Sequence, residues 1–455
     1  MRNVFTLIML LAIGCFSCNK EQFLAEKPRT SLLVPTTLSD FQRLLDNTEL
    51  NISGTLGDIS ADDYYLLNEA SWNAVFSGTE RNAHIWKANI YEGETNISDW
   101  NGPFQQILYA NIVLQGLEKL PLDAANELEF NRIKGWAHFI RGHALYNLAQ
   151  CFAPPFNKST AEVDLGLPIR LEADVTQKVP RSSVAKTYSQ ILADLQAAEQ
   201  LLPNRQPGLD RNRPYKIAAK AMLARVYLNM GNYGQALLQA EQSLGIYSRL
   251  IDFATLSATA TSPIIQNNEE TIFYCLPSNV GSGIIGTNRR VPNTIVDSVL
   301  YSTYHDNDLR KTILFTKSLV HGKPVFKGSY TGNISTFSGL ATDELYLIRA
   351  ECEIRIGSVD KGLKVLDELL MKRWKSGYSP LVVTDRETAL KLVLLERRKE
   401  LPFRGLRWSD LRRLNVEGLD IHLERKVGNA VFSLLPNSPK YVLPIPPDEM
   451  AMGNL

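Results

Sequence analysis

Between Ala61 and Trp100 the chain crowds together side chains suited to a polyhydroxylated ligand: Asp62, Asp63, Tyr64, Tyr65, Trp72, Arg81 and Trp86. A sugar offers C–H faces that stack on aromatic rings, and hydroxyls that need carboxylate, amide or guanidinium partners. A second stretch, 278–330, supplies Asn288, Arg289, Tyr301, Tyr304 and Tyr330. From the two we select Trp72, Trp86, Arg81, Asp63, Tyr65, Tyr304, Tyr301 and Arg289 as candidate ligand-binding residues, with Trp72, Trp86, Arg81 and Tyr304 the sharpest. Large aromatics are buried on average, so each tryptophan has a competing reading as a core residue that pins its loop.

Catalytic chemistry finds less support. Asp62 with Asp63, and Asp306 with Asp308, are paired acids, yet neighbouring loop carboxylates do not establish the separation that acid–base hydrolysis requires. Neither G-x-S-x-G nor a glycine-rich phosphate loop occurs, so the sequence predicts no enzyme. His138 and His143 lie five apart on one predicted helix and do not share a face, and H-E-x-x-H is absent, so neither a metal nor another cofactor is expected. A formal net charge of +1 leaves no electrostatic footprint for nucleic acid.

Both aromatic stretches lack a sustained period, and loops of such length in a helical protein are usually functional. Something regular must hold them. The best-formed element is Tyr215 to Leu244: Ala218, Ala221, Ala224 and Tyr227, a turn at Gly231-Asn232, then Tyr233, Ala236, Leu237 and Ala240. This spacing predicts two helices approaching closely through alanine, with Tyr227 and Tyr233 filling the wedge, a tetratricopeptide-type hairpin. Such a unit cannot bury its apolar face alone and calls for neighbours. The same spacing of small residues returns at Ala350, Gly357 and Gly362, which makes 345–370 a second copy.

Further helices are predicted within 31–50, with Ser39-Asp40 as the cap; from Trp100 to Leu120; over Glu127–Phe152, apolar nearly all round and therefore central; and from Ser182-Ser183 to Pro203. Glu270 to Tyr274 reads as a strand. Between Leu390 and Leu414, charged residues from Glu396 to Arg413 alternate with Leu, Phe and Trp, and Pro402 to Gly405 breaks the run into two helices. That mixture predicts partly buried carboxylate–guanidinium clamps.

At the N-terminus, Arg2, the apolar run Val4 to Ile13 and then Gly14-Cys15-Phe16-Ser17-Cys18 read as a signal peptide too short to span a bilayer permanently. Cys15 and Cys18 compete as a lipidated first residue, and attachment by more than one chain makes a stable anchor. Cys151, Cys275 and Cys352 sit in apolar contexts and are expected to be buried free thiols.

Together these pieces resemble the SusD/RagB family of outer-membrane nutrient-binding lipoproteins. Ser17-Cys18-Asn19 followed by Phe23-Leu24 and Lys27-Pro28 is similar to the family's mature N-terminus and favours Cys18 over Cys15. Trp100 with Tyr109, Asn111 and Ile112, the run Gly135 to Phe152, and Tyr188, Ile191, Asp194-Leu195 and Leu202-Pro203 match successive family helices. The most specific resemblance is Glu396-Arg397-Arg398-Lys399-Glu400-Leu401 with Gly405, Arg407-Trp408 and Asp410-Leu411-Arg412-Arg413, followed by Leu443-Pro444-Ile445-Pro446 with Glu449 and Asn454. Arg404 departs from it, standing where the family usually has an acid.

The resemblance implies a mainly α fold: four tetratricopeptide-like hairpins, long irregular loop regions holding the ligand site, and a few short strands. It implies a signal peptide over 1–17 and one domain over 18–455, with framework at about 31–50, 100–152, 183–250 and 341–415 and ligand-side loops at about 51–99 and 257–340. The expected function is a lipid-anchored protein of the outer membrane, facing the cell exterior, that captures an oligosaccharide and hands it to a SusC-type TonB-dependent transporter. The competing expectation is a repeat scaffold whose concave surface binds peptide or protein.

Overall fold

The computed structural model describes residues 35–278, 284 and 294–451. Cys15, Cys18, Asn288 and Arg289 lie outside the described residues. Contacts divide the chain into two units, Met1–Thr36 and Thr37–Leu455, and the described helices and strands all lie in the second.

Among the described residues, ten helices have eight residues or more: α1 (Leu38–Leu45), α2 (Ser98–Leu117), α3 (Glu127–Phe152), α4 (Val184–Leu201), α5 (Lys216–Asn229), α6 (Tyr233–Ile246), α7 (Thr342–Ile356), α8 (Val359–Leu370), α9 (Arg386–Glu400) and α10 (Arg407–Val416). The described strands are short and form two-stranded sheets. The chain is thus mainly α, with irregular segments between the helices. The cap of α1 is Thr37 rather than Ser39-Asp40: the Thr37 hydroxyl accepts from the Asp40 amide at 3.2 Å, and Asp40 accepts from the Thr37 amide at 3.0 Å. Asp40 therefore sits at the third helical position, completing a reciprocal capping box.

The framework is a row in which each helix packs on the next, from α2 through α8, with α9 laid against α7. As its composition predicts, α3 is central: Ile133, Trp136, Phe139, Ile140, Ala144, Leu145 and Leu148 are all buried on it. Ala218, Ala221, Ala224, Ala236 and Ala240 are buried where α5 meets α6. The two tyrosines behave differently from expectation. The Tyr227 hydroxyl accepts from Gln196 on α4 at 3.1 Å, while Tyr233 lies 4.5 Å beneath the Arg355 guanidinium on α7 and bonds Glu417. They reach out of their hairpin and join it to its neighbours instead of closing its own wedge.

Gly362 explains the second copy. A Cβ placed there falls 2.5 Å from Ile354 Cγ1 and 2.9 Å from the Ala350 carbonyl, so α7 and α8 touch through a missing side chain. Gly362→Val is expected to lower stability by about 1–3 kcal/mol through overpacking. Gly234→Ala on α6, where nothing lies within 4 Å, should instead be neutral or raise stability by about 0.5–1 kcal/mol, as urea unfolding will show.

The charged segment forms the clamps its sequence predicts, more deeply buried than expected. Arg397 meets Asp410 at 2.8 Å; Arg413 grips Glu351 with two bonds of 2.7 and 2.8 Å; Arg225 grips Glu344; Arg373 joins Glu270 to Glu400 at 2.6 and 2.7 Å. Arg404, the departure from the family pattern, has its own acid: it meets Asp343 at 3.0 Å and lies over the rings of Tyr330 and Phe337.

Burial raises the pKa of Asp308, but Arg310 beside it outweighs this and holds the carboxyl down at about 2; at Asp410 burial again pushes upward, and Arg397 and Arg413 overcome it and hold the carboxyl below its usual value. Groups whose folded pKa lies below the unfolded one contribute stability that is complete above the unfolded value, near 4, and lost as pH falls towards 2. Asp308→Asn should therefore destabilise strongly at pH 6 and much less at pH 2.5. Equal losses of urea midpoint at both would contradict this.

Candidate functional site

The two unperiodic stretches are sewn together by strands too short to show in the sequence. Ile52–Ser53 pairs in parallel with Leu276–Pro277, and Tyr64–Leu66 runs antiparallel to Thr294–Val296. Three short helices, Leu56–Ser60, Glu69–Asn73 and Gly78–His84, fill the first stretch. At five to seven residues they complete fewer than about two turns, so no amphipathic period could announce them.

Trp72 and Arg81 come together. The half-buried Trp72 indole donates to the Arg81 carbonyl at 3.1 Å, and the Arg81 guanidinium donates back to the carbonyls of Val75 and, at 3.1 Å, Phe76. Glu94 fastens the same turn, accepting from the Gly78 amide at 2.6 Å, the Thr79 hydroxyl at 2.6 Å and the Ser77 hydroxyl at 3.1 Å. On this braced turn Phe76 is 91% exposed. Sequence reasoning missed it, although a signal existed. Ser77 is the N-cap of Gly78–His84, which places Phe76 at the preceding position, where an apolar residue normally packs on the fourth helical residue. Here that residue is Arg81, engaged with the turn's own carbonyls, and the ring is left in solvent.

Other candidates are withdrawn into the body. Trp86 is 3% exposed; its indole donates to the Ser60 carbonyl at 2.9 Å, its ring lies 4.8 Å from the Arg425 guanidinium, and it packs in a cluster with Ala61, Trp408 and Tyr441. It is the core pin of the competing reading. Its backbone has a positive φ of 54°, which a non-glycine residue holds only when the surroundings fix it. Tyr304 is buried and donates to the Lys399 carbonyl at 2.7 Å. Asp63 is buried and accepts from the Phe403 amide at 3.0 Å; burial, then the charge of Asp62, pushes its carboxyl up to about 6. It anchors the left-handed residue Phe403 (φ 57°) of the loop between α9 and α10 and has no free face for a ligand.

Tyr65 and Tyr301 remain half-buried. Tyr65 stands opposite Ile295 in its sheet; Tyr301 packs edge-on to Phe315 and lies 5.8 Å from the Lys311 ammonium. The paired acids are spoken for. Asp62 is held by Arg407 at 2.6 and 3.0 Å and Arg398 at 2.9 Å, which together overcome its burial and keep it ionised; Asp306 meets Lys311, and Asp308 meets Arg310. Trp100, Trp136 and Trp408 are buried, and Cys151, Cys275 and Cys352 are free and buried, as their contexts predict. A groove of about 650 Å³ lies between Pro154–Leu165 and Asn437–Val442 and is lined by none of the candidate ligand-binding residues.

A row of packed helical hairpins carrying a loop surface with rigidly held aromatics defines a helical-repeat binding protein. Comparison with known proteins makes this specific. Residues 22–228 match a family model described as starch-binding and associating with the outer membrane, and residues 225–451 match the SusD family model. The chain belongs to the SusD/RagB family. A SusD superfamily protein from Bacteroides vulgatus has the same fold with a TM-score of 0.72, at 23% identity over 92% of this chain and 97% of that one. A laminarin binding SusD-like protein aligns with a TM-score of 0.63, at 19% identity over 90% of this chain and 96% of its own. SusD-like protein P2 of Formosa agariphila is 31% identical over 128 residues; the match spans 28% of this chain and 23% of that protein.

Proposed function

We propose that this chain is a cell-surface nutrient-binding lipoprotein that captures an oligosaccharide on its loop surface and delivers it to a SusC-type TonB-dependent transporter. The observation that carries the reading is the turn at residues 74–80, where Trp72, Arg81 and Glu94 spend their hydrogen bonds holding Phe76 in solvent. An aromatic ring kept exposed on a rigid turn is what stacking on a sugar face requires. Tyr65 and Tyr301, half-buried in the same two loop stretches, extend the proposed surface. Binding without catalysis is part of the proposal, since Asp62, Asp306 and Asp308 lie in ion pairs and Asp63 is buried on the Phe403 amide. The family description and the laminarin-binding relative support a glucan or similar glycan.

Among the described residues no helix is long and apolar enough to cross a membrane. We place attachment at Cys18, with Cys15 as the alternative, after a signal peptide over 1–17; one domain over 18–455 would then face the exterior. Affinity electrophoresis of the full-length protein through gels containing laminarin, starch or another polysaccharide tests the ligand. Retardation by at least one glycan, with no release of reducing sugar, is expected. Retardation by none, together with capture of peptides, favours the scaffold reading.

A further inference from the structure

At the junction of loops and framework lies a small cavity of about 50 Å³, room for an ion and a water or two. Its walls come from six places: Ser53–Asp58, Asp99 at the start of α2, Tyr146–Cys151 near the end of α3, Arg225 on α5, Ser338, and Gly405–Ser409. Two carboxylates face it, and they differ from most buried acids of this protein, Asp63 on the Phe403 amide being another without a guanidinium. Asp62, Asp194, Asp308, Glu344, Glu351, Glu396 and Asp410 each meet a guanidinium. Asp58 and Asp99 meet none among the described residues. Asp58 is 5% exposed and neither of its oxygens has a hydrogen-bond partner of ordinary geometry. Asp99 gives Oδ1 to the amides of Thr55 and Leu56 at 2.7 and 2.8 Å, while Oδ2 has only the Ser98 hydroxyl at 3.4 Å.

The remaining wall atoms fit a hard ion. Gln150 turns its amide nitrogen to Tyr188 at 3.1 Å and Asn147 turns its own to His143 at 3.4 Å, so both keep their carbonyl oxygens. Ser53 and Ser338 add hydroxyls. The Trp408 indole N–H, buried without an acceptor, suits a water carried by the ion. Arg225 is the one cation in the wall, and two bonds of 2.9 and 2.6 Å to Glu344 neutralise it.

We propose that this cavity is a structural site for Ca²⁺, held by Asp58 and Asp99 with neutral oxygens from Asn147, Gln150 and the serines. No cluster of three or more His, Cys, Asp or Glu forms a metal site among the described residues, and this set differs in kind: two carboxylates balance the ion's charge and neutral oxygens fill its shell. Mg²⁺ demands a near-ideal octahedron and holds its waters, whereas Ca²⁺ accepts an irregular shell of six to eight oxygens. Softer metals find little to hold them, because Cys151 supplies the one sulfur in the wall and the other donors are oxygens. An ion here would bolt the loop carrying Gly405 to the start of α2 and the end of α3.

The test is calcium titration of chelator-stripped, full-length protein by calorimetry and thermal unfolding. One Ca²⁺ per chain is expected, with a Kd of about 0.1–1 mM as in extracellular modules, Mg²⁺ at least about tenfold weaker, and a rise in Tm on binding. Asp58→Asn keeps the size and shape of the side chain and should fold, and without the charge it should bind at least about tenfold more weakly. Crystals soaked in Tb³⁺ should show an anomalous peak in the cavity. Absence of heat and of a Tm shift at about 10 mM Ca²⁺, a water cluster alone in the cavity, or binding unaltered by Asp58→Asn overturns the proposal. The glycan reading stands or falls separately.

Discussion

Replacing Arg310 with methionine is expected to lower the stability of this chain by about 3–5 kcal/mol, the largest effect expected of a single ion-pair change in this protein. Arg310 is fully buried and its guanidinium is shared among three acids: Asp308 at 2.9 and 2.7 Å, Glu396 at 2.6 Å and Glu400 at 2.9 Å. Without it, those carboxylates face one another with only Lys399 and Arg373 to share, at 3.0 Å from Asp308, 2.7 Å from Glu396 and 2.7 Å from Glu400. A point charge cannot span the fork, so Arg310→Lys should recover less than half the loss. The measurement is the urea midpoint at pH 7. A loss below about 1 kcal/mol would mean that water enters the gap and screens the acids.

The second large effect separates two tryptophans that composition cannot tell apart. Trp72→Ala and Phe76→Ala should each weaken binding of the retarding glycan by about tenfold or more, roughly 1.4 kcal/mol, and shift the thermal midpoint little. Trp86→Ala should do the reverse, costing about 3–5 kcal/mol of stability through the cavity it leaves beneath Arg425. If Trp86→Phe, which keeps most of the packing, abolished glycan binding in a folded protein, the separation would fail. Full affinity in the Trp72→Ala, Phe76→Ala double variant would move the ligand off the braced turn.

Much of the framework is legible in sequence because long helices advertise themselves. The span of α3 is as expected to the residue, and the alanines of α5 and α6 and Gly362 mark where helices touch. The alternation of charge and apolar residues from Glu396 onward correctly signals buried clamps, although no pattern within that segment names their partners at Asp308, Arg310, Glu351 and Arg373. Loops are less readable for a physical reason. Trp72 and Trp86 occur in similar local company, and what decides their fate is a contact far along the chain: Arg425 covers Trp86, and among the described residues no guanidinium lies over Trp72. Asp63 and Tyr304 likewise look like ligand groups until the backbone atoms they serve, the Phe403 amide and the Lys399 carbonyl, come into view.

The short sheet that sets Tyr65 against Ile295 joins segments more than two hundred residues apart. Contacts that distant form late, because the loop they close is long and little rewards it until the intervening helices are packed. On the function proposed above, the loop surface is expected to be among the last parts of the chain to form. A chain that ends between the two stretches lacks this pairing and also lacks α7 to α10. On the proposed reading, ligand binding thus reports a chain intact at least from Tyr64 to Val296.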